Sequence, residues 1–212
     1  MKVEIMSPRA YKLGKREAAA TETRSRILEA AREILADESA TADLSMDGIA
    51  RRADVSRLTI YYQFKSRPGL LEALYDQMAA RGNLRRIAEV FHEPDVSVAL
   101  EKLIHIFAAF WSTDPVVIRR LRGMATLDAE MAPGLRARDA RRQHIARELL
   151  SRAASSQKIK MKVKSEELNL TADVLSMLTS FETYDALAGA GHKQKEIIDT
   201  VVKLARIATG IK

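Results

Sequence analysis

LSMDGIARRADVSRLTIYYQFKSRPGLL, residues 44 to 71, is the stretch on which the fold turns. Ser45 stands just ahead of Met46, Ile49, Ala50 and Ala53, apolar positions at helical spacing that fill barely two turns. A serine there is a preferred helix N-cap. Ser56 opens another short helix that runs to Phe64, and Ala53-Asp54-Val55 leaves room only for a tight turn between the two. Two short helices joined in this way have the spacing of a helix-turn-helix. Lys65-Ser66-Arg67-Pro68 then interrupts the pattern, with Pro68 where a first helical turn tolerates it. Leu70, Leu71, Leu74, Tyr75 and Met78 begin a longer helix.

Upstream, residues 1 to 20 carry Lys2, Arg9, Lys12, Lys15 and Arg16 against Glu4 and Glu17, with Pro8 and Gly14 breaking any period. A flexible basic arm is expected there. From Thr23, Ile27, Leu28, Ala31, Ile34 and Leu35 recur at helical spacing, with Thr21 or Thr23 as the cap. Residues 21–67 therefore read as a three-helix helix-turn-helix domain. Downstream, Pro94-Asp95, Asp114-Pro115, Pro133-Gly134 and the loop from Ser155 to Lys164 separate helices near 96–112, 115–128, 134–153, 165–189 and 193–209. Ile159, Met161 and Val163 alternate with lysines and could form a short strand, but no partner strand is evident and a lone strand is unstable. The expectation is an all-α chain whose residues 68–212 form a helical bundle, without internal repeats.

The chain has 212 residues, 47% of them hydrophobic, enough to bury a sizeable core. With no cysteine, a disulfide framework and a Cys-based zinc site are both excluded, which suits a reducing cytoplasm. No uninterrupted apolar run reaches membrane-spanning length and the N-terminus lacks a signal-like apolar core, so a cytoplasmic chain with no membrane partner is expected. Asn169-Leu170-Thr171 is formally a glycosylation triplet inside a helical pattern and reads as chance. Of the net charge of +7, the stretch Leu135 to Lys164 alone supplies +8, from ten lysines and arginines against two acids. That stretch reads as a solvated helix face and a lysine-bearing loop, so bulk charge does not carry a nucleic-acid reading.

The motif carries it instead. Ile49-Ala50, Ala53, Val55-Ser56, Thr59-Ile60-Tyr61, Phe64 and Leu70-Leu71 together resemble the TetR family of bacterial regulators. Two positions depart from it: Asp54 stands where the family usually has Gly, and Arg67 where it usually has Lys. Asp tolerates a left-handed turn position better than most residues, and Arg67 keeps a charge able to meet phosphate. The resemblance implies a TetR-like fold of about nine helices, with an N-terminal helix-turn-helix domain and a C-terminal regulatory bundle. It further implies a sequence-specific transcriptional regulator, a repressor released from a palindromic double-stranded DNA operator by a small-molecule effector.

A recognition helix must bury one face in its own domain and offer the other to the major groove. Val55, Ile60 and Phe64 supply the buried face, leaving Arg57, Leu58, Thr59, Tyr61, Tyr62 and Gln63 for the groove or its rim. Arg57 suits a bidentate contact to guanine and Gln63 suits adenine, while Thr59, Tyr61 and Tyr62 suit phosphates or a thymine methyl. Adjacent tyrosines on a helix point about 100° apart, so at least one of Tyr61 and Tyr62 must face outward. Leu58 is odd at such a face and could equally join the packing. Ser45 and Ser56, as caps, place backbone N–H groups near phosphates, and Lys65 and Arg67 extend the clamp.

Further along, Thr179-Ser180-Phe181-Glu182-Thr183-Tyr184-Asp185-Ala186-Leu187 looks like the penultimate helix of one TetR subgroup, which implies a homodimer through the last two helices. Wide apolar stripes there, among them Leu168, Leu175 and Leu178, then Ile197, Val201 and Leu204, fit a four-helix interface. Phe107, Phe110, Trp111, Met124, Met177, Phe181 and Tyr184 could line an effector cavity, with His105 and His144 as polar groups, though the same residues suit an ordinary core. His92, His105, His144 and His192 lack HExxH spacing, and there is no P-loop, GxSxG or complete GxGxxG, so neither an enzyme, a cofactor nor a metal site is expected. A helical dimeric adaptor or effector-binding protein without DNA binding is the alternative, kept open by Asp54 and Leu58.

Overall fold

The computed structural model describes residues 8–37, 44–160, 162 and 165–212, with side chains from Glu17 onward. Residues 1–7 of the expected arm, its basic side chains through Arg16, and Met161 and Val163 of the alternating loop lie outside the described residues. Within them all regular structure is helical: α1 Pro8–Ala36, α2 Met46–Ala53, α3 Arg57–Phe64, α4 Arg67–Arg81, a 3-10 turn Leu84–Arg86, α5 Ile87–His92, α6 Val96–Thr113, α7 Pro115–Leu127, α8 Ala132–Ser155, α9 Glu166–Leu178, α10 Phe181–Gly189 and α11 Gln194–Thr209. The chain divides into two compact units, residues 1–74 and 75–212, so the division falls inside α4 rather than at the break before it.

In the first unit, Ile27, Ala31 and Leu35 of α1, Ile49 of α2, Ile60 of α3 and Leu70 of α4 are each almost fully buried. Each large aliphatic side chain removed from water in this way contributes roughly 1.5–3 kcal/mol before entropy is counted. The turn between α2 and α3 is built as expected from Asp54, which adopts the left-handed conformation (φ 52°, ψ 54°). The Asp54 N–H donates to the Arg51 carbonyl at 3.4 Å and the Val55 N–H to the Ala50 carbonyl at 3.1 Å, the paired bonds of a Schellman cap. At the other end of α3, Gly69 comes so close that a Cβ there would lie 2.3 Å from the Phe64 carbonyl oxygen. Only glycine lets α4 start against the end of α3.

In the second unit α6 is the core helix. It is long and apolar enough to cross a membrane by length and composition, but Leu100, Leu103, Ile104 and Ile106 on it are buried within the unit. Its Trp111 indole N–H donates to the Thr179 carbonyl at 2.9 Å. Arg206 of α11 reaches Ser97 Oγ at 2.8 Å and Glu101 Oε1 at 2.7 Å on its first turns.

Four differences from the expected elements have local causes. The first helix begins at Pro8, and Thr21 and Thr23 do not cap it; their hydroxyls donate to the Glu17 and Ala19 carbonyls one turn back, inside the helix. The single helix expected over 165–189 is two: the Thr179 N–H and hydroxyl both donate to the Leu175 carbonyl, at 3.1 and 2.9 Å, and extended Ser180 starts a new N-cap. The 3-10 turn and α5 were too short for periodicity to reveal; among the described residues, α5 and that break raise the count from about nine α-helices to eleven. Pro133 sits inside the first turn of α8, where a missing N–H costs nothing, instead of between helices.

Candidate nucleic-acid interface and apolar cavity

The two short helices of the first unit are each fixed by a serine. The Gly48 N–H donates to Ser45 Oγ at 2.9 Å and the Thr59 N–H to Ser56 Oγ at 3.1 Å, as the sequence predicts for two N-caps. Arg57, the first residue of α3, sends one amino group to Asp47 Oδ2 at 3.0 Å and the other to the Tyr61 hydroxyl at 3.3 Å. The Tyr61 hydrogen bond and then Asp47 push its basicity up, so it is a permanent cation. Leu58 is 59% exposed, Tyr61 38% and Tyr62 71%, which places three large side chains on the outer flank of an eight-residue helix. Lys65 is exposed as the C-cap, and Arg67 is half-buried as the first residue of α4.

Not every expected reading group faces out. Gln63 is half-buried, its amide nitrogen 3.3 Å from the Ala20 carbonyl, and Thr59 is half-buried with its hydroxyl 2.8 Å from Ser56 Oγ. Ile60 and Phe64 are buried as expected, while Val55 is half-buried. Two residues that sequence reading passed over organise this face. Asp47 holds Arg57, and Arg24 locks the end of α3, donating to the Gln63 carbonyl at 2.9 Å with its guanidinium 4.3 Å over the Phe64 ring. Arg24 lies 39 residues from Gln63, and no local spacing signals such a pair.

The second unit encloses a cavity of about 290 Å³. Phe107, Phe110 and Trp111 of α6 form its aromatic wall, with Leu84 and Ile87. Of the other residues expected to line it, Phe181 is buried behind the wall, edge-on to Trp111 at 5.6 Å. Tyr184 lies with Trp111 in a separate narrow crevice. Met124 is half-buried, Met177, His105 and His144 are exposed, and none of the four is on the cavity wall.

The polar wall was not foreseen. Tyr75, Asp76, Arg122, Arg138, Asp139 and Arg142 belong to it. Asp139 receives Arg122 at 3.1 Å and Arg142 at 2.8 Å; burial alone would raise its carboxyl, but the two guanidinium groups outweigh that and hold it below the usual range. Arg138 pairs with Asp76 at 3.0 Å and lies 4.6 Å over the Tyr75 ring. The Tyr75 hydroxyl is fully buried and has no hydrogen-bond partner among the described residues. Burial, moderated by Arg122 and Arg138, pushes its phenol up to about 12, so it stays protonated and able to donate. Among the described residues no cluster of His, Cys, Asp or Glu could hold a metal.

The described residues thus form a doubly capped helix-turn-helix in one unit and a cavity-bearing helical bundle in the other. Residues 27–74 match the family described as bacterial regulatory proteins, tetR family, and the match covers the helix-turn-helix segment of the chain. Among solved structures, a TetR-family transcriptional regulator from Syntrophomonas wolfei superposes with a TM-score of 0.72 at 16% identity, covering 91% of this chain and 97% of that one. The fatty acid degradation regulator FadR from Bacillus halodurans gives 0.63 at 15% identity, covering 85% and 96%. AibR, solved in complex with isovaleryl coenzyme A and operator DNA, gives 0.61 at 19% identity, covering 86% and 97%. At such identities the likeness speaks for the fold. No curated protein matches the chain.

Proposed function

We propose that this protein is a homodimeric, effector-responsive repressor that works in the cytoplasm and binds a palindromic double-stranded DNA operator. The observation that carries the reading is the outer flank of α3, where Arg57, Tyr61 and Tyr62 stand exposed on a helix whose opposite side, Ile60 and Phe64, is buried. Such a helix fits a major groove, and two of them in a symmetric dimer would meet half-sites about 34–36 Å apart. Ser45, Ser56, Lys65 and Arg67 would meet phosphates, and Thr59 and Gln63 would approach the groove after giving up their present hydrogen bonds. Leu58 would touch a thymine methyl.

The dimer would form through the last helices, where Leu170 and Met177 of α9 and Leu204 and Ile207 of α11 stand exposed beside buried neighbours. The cavity would hold the effector. Tyr75, Asp76 and Ala79 of its wall lie on α4, which begins in the DNA-binding unit, so an occupant would press on the helix that continues into that unit. That AibR was captured with both an acyl thioester and operator DNA supports a DNA partner and a small-molecule effector here.

A gel shift and footprint on the region upstream of its own gene test this reading. A protected, roughly palindromic site whose affinity falls steeply with salt is expected. A dimer that protects no duplex even at low salt would overturn it and favour an adaptor that uses Leu58 as a protein contact.

A further inference from the structure

The cavity's wall is chemically lopsided in a way that specifies its occupant. On one side the three aromatic rings of α6 offer only dispersion and apolar burial. On the other, four arginines face Asp76 and Asp139, and Glu182 also meets Arg122 at 2.5 Å, so the site keeps an excess of one positive charge. Arg122, Arg138 and Arg142 are each met by a carboxylate. Arg141 is exposed, and among the described residues no carboxylate pairs with it. The Tyr75 hydroxyl adds a buried donor with nothing among the described residues to donate to, and its ring is fixed beneath Arg138. A buried donor left unmet costs free energy that a ligand acceptor would recover.

We propose that the cavity takes a compact amphipathic carboxylate: its oxygens accept the Tyr75 O–H and face the Arg141 guanidinium, and its apolar body lies on Phe107, Phe110 and Trp111. The proposal rests on reading this cavity as the effector site. A cation would meet the positive excess unfavourably. A neutral amide would satisfy Tyr75 and leave Arg141 without a counter-charge. At about 290 Å³ the space is at the lower end of ligand pockets, which range over roughly 300–1,000 Å³, so it suits a small acid.

Calorimetric titration of the full chain with octanoate, octanamide and octylamine, and with 3-phenylpropionate and its amide, tests the assignment. Each acid is expected to bind at least about tenfold more tightly than its amide, with octylamine the weakest. Tyr75→Phe, which removes only the hydroxyl, is expected to weaken octanoate about tenfold, a loss of roughly 1.4 kcal/mol. Arg141→Gln is expected to remove most of the preference of acid over amide and the salt dependence that goes with it. Amides that bind as well as the acids, or both variants holding octanoate as the parent does, would overturn the carboxylate assignment and leave the cavity as an effector site. Failure of all five compounds at millimolar concentration would overturn the assignment and the effector reading of the cavity together, and an intact operator footprint would then show that DNA binding stands apart from both.

Discussion

Asp47 of α2 holds Arg57 of α3 in a 3.0 Å ion pair, so the arginine best placed to read a base is already engaged within the helix-turn-helix. Both side chains are more than half exposed, and an exposed pair of this kind is weak enough for DNA to displace. Asp47→Ala would release Arg57 and remove a negative charge facing the duplex. The expected outcome is several-fold tighter binding to any duplex and a smaller ratio of operator to unrelated DNA, measured by gel-shift titration on both. Looser binding to both would mean that Asp47 serves to aim Arg57.

Removing the outward groups should separate reading from assembly. Arg57→Ala and Tyr62→Ala are each expected to weaken operator binding about tenfold or more. Neither side chain belongs to the buried core, so sedimentation should show the parent's oligomeric state. Dissociation into monomers would contradict that separation.

Asp54 keeps a left-handed backbone that glycine adopts freely and alanine resists by about 1 kcal/mol. Asp54→Gly should therefore melt above Asp54→Ala by that margin, read from thermal unfolding followed by circular dichroism. Equal midpoints would mean that the cap bonds of Asp54 and Val55, not the conformational preference, fix the turn.

Gly69→Ala meets backbone rather than a yielding side chain, since the added carbon would fall 2.3 Å from the Phe64 carbonyl oxygen. The start of α4 must then move away from α3. A loss of about 1–3 kcal/mol is expected in denaturant unfolding, along with weaker operator binding. An unchanged midpoint would show that the two helices can slide apart freely.

Much of this was written locally. Ser45 and Ser56 announced both caps, and Ile60 and Phe64 announced the buried side of α3, because caps and periodicity act over a few residues. What stayed hidden depends on distant partners. Arg24 looks like an ordinary solvated residue and Gln63 like a groove-facing one until the fold brings them together, and Asp47 looks like a first-turn helix acid until Arg57 arrives. The cavity shows the same division. Its aromatic wall could be read from the spacing of Phe107, Phe110 and Trp111, whereas Arg138 and Arg142 fell in the stretch read as a solvated charged face, and Arg122 drew no reading at all. Arg122 and Arg138 find their carboxylates on other helices, which no pattern within one helix discloses, whereas Asp139 lies one turn before Arg142 on α8 itself.

Tyr75 links stability to alkaline pH. Burial raises its phenol from 10.0 to about 12, so the folded chain holds that proton more tightly than the unfolded chain does. Its contribution is whole below pH 10 and is lost as pH rises to 12, a loss on the order of 3 kcal/mol. Tyr75→Phe should lack this loss. Near pH 7 the variant should be as stable as the parent or up to about 1 kcal/mol more so, since it no longer buries an unmet hydroxyl. Parallel stability curves for the two proteins from pH 9 to 12 would contradict the assignment.

The chain's one tryptophan stands on the cavity wall with its indole tethered to the Thr179 carbonyl and its ring against Phe110. Its emission therefore arises from a single, immobilised site beside any occupant, with no second indole to dilute the signal. The fold thus carries its own optical gauge: a shift or quench in Trp111 fluorescence would register filling of the cavity without a label.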